Sequence, residues 1–175
     1  DPKLPRIPAL AVSVPDADLI TRMAAHPAAA QRPLAMPLVV QTEEGIAATS
    51  ANVIAEIPGT DLAHEVVLLA AHLDSWDTGQ GAIDDGAGVG IVTAAARLLL
   101  DGPRPRRTVR LVLFANEENG FDGALAYADK YASQVHQWVG ESDFGAGRVW
   151  RLRSRVREQA LPQVARIARE LAPLG

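Results

Sequence analysis

The chain contains no cysteine. Neither a disulfide framework nor a thiolate zinc site is open to it, so any metal must be held by histidine and carboxylate. It also has no run of about 18 apolar residues, the length a membrane-spanning helix needs. Basic residues are in deficit, with a formal net charge of -4 and a pI near 5.5. That argues against nucleic acid as a partner, because a phosphate backbone selects for lysine and arginine. No internal repeat or low-complexity tract is present. The N-terminus shows no charged-then-apolar leader pattern, but the chain begins at Asp1 rather than Met, so this decides nothing about compartment.

With 175 residues, 48% of them hydrophobic and 22% charged, the chain has the composition of a packed globular protein. The length suits one domain plus an appended remnant. Seven of its twelve prolines (Pro2, Pro5, Pro8, Pro15, Pro27, Pro33 and Pro37) fall in the first 45 residues and break regular structure there into short pieces. Val14-Pro15-Asp16 followed by Leu19, Ile20 and Met23 predicts one short capped helix, and residues 38–41 a short strand. Residues 1–45 read as a tail returning from something upstream.

From Ser50 the pattern becomes apolar strands alternating with helices, the mark of an α/β fold. Strands are predicted over 52–57, 65–72, 108–114 and 135–141. Residues 65–72 (EVVLLAAH) form the near-continuous apolar run of a strand buried on both sides. Helices are predicted over 86–100, where Val89, Val92, Ala96 and Leu99 recur at helical spacing, over about 121–133, and over 156–171. The arginine groups, Arg104, Arg106, Arg107 and Arg110, then Arg148, Arg151, Arg153, Arg155 and Arg157, read as solvated loop and helix surface.

The most informative segment begins at the carboxyl end of a buried strand and runs into a helix: His72-Leu73-Asp74 through Asp84-Asp85-Gly86. Ligands bind at such strand ends in open α/β sheets. A neutral imidazole is a good zinc ligand, and Asp74, two residues on, is placed to accept its other ring N–H. Taken alone, these are also ordinary strand-end polar residues, and Asp84-Asp85 an N-cap and a first-turn acid. The next strand changes the balance, ending in Ala115-Asn116-Glu117-Glu118. Two adjacent acids at an apolar strand end repel each other and lose solvation, so a compensating positive charge is expected, and a metal supplies it. One glutamate can then coordinate while the other takes a proton from activated water. A third acidic group, Glu141-Ser142-Asp143, follows the fourth strand, so three consecutive strand ends present acids.

These residues match a known family. The chain resembles the co-catalytic zinc aminopeptidases and carboxypeptidases, and HLDSWDTGQGAIDDGAG is especially similar to their plasma glutamate carboxypeptidase branch. The resemblance extends to NVIAEIPG at 52–59, RRTVRLVLFANEENG at 106–120 and ESDFGAG at 141–147, and covers about residues 50–172. It implies a mostly parallel central sheet with helices on both faces, and two zinc ions. By motif, His72 and Asp143 would bind the first metal, Asp84 would bridge both, and Glu118 would bind the second. Glu117 would be the general base, and Asp74 would orient His72. The resemblance further implies that residues 1–45 return from a protease-associated-type insert, that 46–175 form part of the catalytic domain, that the substrate is a peptide or dipeptide, and that the compartment is periplasmic or extracellular.

The family's late histidine ligand has no counterpart before Gly175, so the resemblance implies a C-terminally incomplete catalytic domain, lowered activity and nearer one bound zinc than two. The alternatives are a one-zinc acyl transferase similar to glutaminyl cyclase, and a non-enzymatic receptor-type relative. His26, His64 and His136 lack acids at ligand spacing. Trp76 reads equally as a cleft residue and as loop packing. The glycines at 79, 81, 86 and 88 are no phosphate loop, because the Lys-Ser/Thr ending is missing.

Overall fold

The computed structural model describes residues 9–32, 34–41, 45, 47–148 and 151–174. Of the proline-rich stretch, residues 1–8, 33 and 42–44 lie outside the described residues. The chain divides into two units, Asp1–Ala48 and Thr49–Gly175. In the first, helix α1 (Val14–Ala25) starts where predicted, because Ser13 Oγ accepts from the Asp16 amide and Pro15 sits in the first turn, where its missing N–H costs nothing. No residue of α1 is buried. The strand predicted at 38–41 is irregular: none of the described residues offers it a ladder, and a strand does not persist without one.

The second unit runs β1 (Val53–Ile57), β2 (Leu62–His72), α2 (Gly86–Leu100), β3 (Arg107–Phe114), a one-turn α3 (Glu117–Gly120), α4 (Asp122–Lys130), β4 (Val135–Glu141) and α5 (Leu161–Leu171). The strands form one sheet of order β1-β3-β2-β4, in which β2 runs parallel to β3 and to β4 while β1 pairs antiparallel at the edge. The predicted mostly parallel α/β sheet is borne out. Alternation along β3 sends Val112 and Phe114 to one face, where Leu68, Ala70 and Tyr127 of α4 join them in the core. Val109 and Leu111 point to the other face, where they line a cavity together with Thr93, Ala96 and Leu100 of α2.

Arg110 corrects the surface reading of its cluster, being 5% exposed. A buried guanidinium survives only if its donors are satisfied. Here Nε donates to Glu56 at 2.6 Å, Nη1 to the Tyr127 hydroxyl at 2.7 Å, and the plane lies 4.3 Å from the Tyr131 ring centroid. Arg151, Arg153, Arg155 and Arg157 are exposed as expected, but on irregular backbone, since the helix predicted from 156 starts at Leu161, with Pro162 in its first turn.

One topological feature positions the site. From β2 the chain crosses through α2 to β3 on one side, and after α4 it returns as β4 on the other side of β2. The carboxyl end of β2 is therefore the switch point of the sheet, where the flanking loops diverge and leave a crevice. His72 is the last residue of that strand. No helix among the described residues is long and apolar enough to cross a membrane.

Candidate metal centre

His72 is 1% exposed and held on three sides. Its backbone N–H donates to Asp85 at 2.9 Å, and its Nδ1 lies 2.9 Å from the backbone carbonyl of Asp74. A carbonyl only accepts, so Nδ1 carries the ring proton and Nε2 turns its lone pair toward the crevice. Around Nε2 stand Asp84 Oδ1 at 3.1 Å, Asp143 Oδ1 at 3.5 Å and Glu117 Oε2 at 3.9 Å. Ligand atoms of His72, Asp84 and Asp143 all lie within 4.8 Å of one another.

The acids arrive from three separate segments. Asp84 precedes Asp85, the N-cap of α2, whose carboxylate also accepts from the Gly88 amide at 3.1 Å. The Asp84–Asp85 peptide bond is cis. Glu117 and Glu118 open the single turn α3, which is bracketed by Asn116 and Phe121 in left-handed backbone at φ 55° and 60°. Asp143 follows β4, where the Ser142 amide bonds to Ala70 O at 2.9 Å.

Asp74 differs from its expected contact. Its carbonyl, not its carboxylate, bonds the imidazole; the nearest carboxylate oxygen is 3.7 Å from Nδ1. The carboxylate instead accepts from the backbone amides of Glu117 and Glu118, at 2.9 and 3.1 Å. One residue thus links the imidazole to the pair of glutamates.

The electrostatics are those of an acid cluster short of positive charge. Burial raises the Glu117 pKa, helped by the charges of Asp143, Glu118 and Asp74 and opposed by His72. Burial also raises Asp85. For His72, burial pulls the pKa down, yet the net shift is upward because Asp85, the Asp74 carbonyl, Glu117 and Asp143 all favour the imidazolium. Burial pushes Asp74 up, but its pKa ends lowered, because the amides of Glu117 and Glu118, its own amide and the charge of His72 together favour the carboxylate. Glu118 Oε1 is buried with no hydrogen-bond partner. A carboxylate oxygen in that position is costly unless a cation satisfies it. The converging imidazole and carboxylates of His72, Asp84 and Asp143, with this orphaned oxygen on the residue next in sequence to Glu117, fit a divalent metal with a preference for nitrogen and oxygen donors, such as zinc.

The other three histidines have other partners: His26, in the first unit, accepts from the Ala28 amide, His64 lies 3.9 Å from Glu65 on the surface, and His136 bonds Tyr127. Trp76 is 62% exposed in the loop after β2. Two contributors escaped the reading of the sequence. Asp85 reads in the sequence only as a first-turn acid, although it is the N-cap of α2 and its carboxylate also holds the His72 amide. Asn52, a polar residue just ahead of an apolar strand, binds Ala115 and Gly123 across the sheet end.

Residues 52–148 match Peptidase family M28. Carboxypeptidase Q of Homo sapiens is 40% identical over 149 residues, a match that takes in 81% of this chain and 30% of that protein. Carboxypeptidase Q of Bos taurus is 42% identical over the same length and shares. Among solved structures, a peptidase M28 precursor from Shewanella amazonensis SB2B superposes with a TM-score of 0.65 at 50% identity, covering 71% of this chain and 29% of that one. The chain therefore spans under a third of the length of the relatives it matches.

Proposed function

The chain belongs to peptidase family M28, and on that premise we propose that it contributes the metal centre of a zinc exopeptidase of aminopeptidase or dipeptidase type, cutting peptide bonds near a free terminus. The observation that carries this reading is the convergence of His72, Asp84 and Asp143 at the switch point of the sheet, with Glu117 beside them. His72, Asp84 and Asp143 would hold one ion, and Glu118 with Asp84 a second. Bound there, such ions supply Lewis acidity, which makes water nucleophilic near neutral pH and polarises a carbonyl.

The chain's own residues do the rest. Glu117 is half-buried and its pKa is raised, which moves a carboxylate toward the range in which it both takes and returns a proton. It accepts the proton of the attacking water and delivers it to the leaving amine. Asp74 fixes the direction of that carboxylate through the amides of Glu117 and Glu118, while its carbonyl keeps the imidazole in the tautomer that leaves Nε2 free. A peptide is the substrate, and the compartment we propose is periplasmic or extracellular.

The test uses a form extended to include the late histidine that the resemblance implies. Zinc-loaded protein should hydrolyse dipeptides with free termini and lose that activity, together with its zinc, in His72→Ala. Hydrolysis surviving in His72→Ala would contradict the proposal. Zinc bound at one per chain with acyl transfer in place of hydrolysis would favour the cyclase-like alternative instead.

A further inference from the structure

The turn that carries Glu117 and Glu118 is bounded at both ends by left-handed backbone, at Asn116 and Phe121. Asparagine tolerates that conformation, but for a residue as bulky as phenylalanine it is strained and persists only when its surroundings over-determine it. Asp74 holds the turn from within the site. From the far side it is held by Asn52, which belongs to none of the motifs that carry the metal chemistry.

The Asn52 side chain accepts from the Ala115 amide at 3.0 Å through Oδ1 and donates to the Gly123 carbonyl at 2.7 Å through Nδ2. An amide N–H only donates and a carbonyl only accepts, so just one orientation of the side chain satisfies both. The two anchor points straddle the strained segment: Ala115 is the residue after β3, and Gly123 lies in the first turn of α4. They are themselves joined, Gly123 N–H donating to Ala115 O at 2.9 Å. Gly123 has no room for a side chain, since a Cβ there would run into Asn52 Oδ1 and the Ala115 backbone. We infer that Asn52 is a positioning residue for the Glu117–Glu118 pair, acting through the backbone of Ala115 and Gly123 to fix the turn that aims both carboxylates. Its importance for turnover rests on the roles proposed above for those two glutamates; its effect on the turn does not.

Hydrogen exchange in the metal-free chain tests the mechanical claim directly. In Asn52→Ala the amides of Ala115, Glu117 and Glu118 should exchange at least about tenfold faster, while those of Leu68 and Ala70 in the core of β2 keep their wild-type rates. Asn52→Asp keeps an acceptor facing Ala115 but sets an oxygen against the Gly123 carbonyl. It should therefore restore protection at Ala115 and not at Glu117 and Glu118, and it serves if the alanine variant does not fold. In the extended, zinc-loaded form kcat should fall about 10- to 100-fold with KM nearly unchanged, as for a misaimed catalytic group. Wild-type exchange at Glu117 and Glu118 overturns the inference, and so does uniform acceleration through β2, which would make Asn52 a general stability residue. If Glu117→Gln itself left turnover intact while the exchange pattern held, the base assignment would fall and the clamp would stand.

Discussion

Glu117 and Glu118 are neighbours in sequence with different surroundings. The first lies 3.9 Å from His72 Nε2 with its pKa raised by burial; the second has a buried oxygen that no donor reaches. Replacing each carboxylate by an amide separates the roles in the extended form. Glu117→Gln should keep its zinc and lose about 100- to 10,000-fold in kcat. Glu118→Gln should lose zinc along with rate, and added zinc should partly restore it, because an amide is a poor zinc ligand. Metal analysis beside kinetics reads the difference, and the reverse pattern would exchange the assignments.

A second prediction belongs to His72. Metal requires the neutral imidazole, and the neighbouring acids lift its pKa above the ordinary 6.5 despite burial. Zinc affinity, followed by competition titration, should therefore begin to fall above that value as pH drops, by up to about tenfold per pH unit for the one competing proton. In the metal-free chain the same shift stabilises the fold below 6.5 and is lost as pH rises through the higher folded value. The residues that meet here were legible because acids recur at successive strand ends. The division of labour within Asp74 was not, since nothing in a sequence tells which atom of an aspartate faces an imidazole.

Among the elements, β4 and α2 have their predicted bounds, α2 because apolar residues recur at helical spacing up to an Asp-Gly-Pro stop. The helix predicted over about 121–133 is α4, ending at Lys130; the preceding turn α3, set off by a left-handed Phe121 and tied by Asn52 and Gly123, contacts far apart in sequence, was not predicted. Arg110 looked like surface for the same reason: its partners come from β1 and α4. At the head of α2, Gly88 sits where a Cβ would press on the Asp85 carboxylate and the Ser142 carbonyl. Gly88→Ala should therefore lower stability by about 1 to 3 kcal/mol in urea titration, by overpacking a junction that also holds the His72 amide. An unchanged midpoint would mean that the helix can shift away from β4 without cost.

At the scale of the whole molecule, the second unit holds the core and the candidate centre, while α1 in the first buries none of its residues. Ordering backbone costs roughly 1 to 2 kcal/mol per residue, which so little burial does not offset. A peptide of residues 1–45 should thus show no cooperative thermal transition by circular dichroism, and a sharp one would contradict this. The strand order was not readable from the sequence, yet it sets the function proposed here by placing His72 between two parallel neighbours at the switch point. The central claim is that this point is a metal centre. Anomalous diffraction at the zinc edge from zinc-soaked crystals tests it most directly. The account predicts a peak among His72 Nε2 and the carboxylates of Asp84 and Asp143, lost in Asp143→Asn crystals. A well-loaded crystal with no peak there, or with zinc only at His26, His64 or His136, would contradict it.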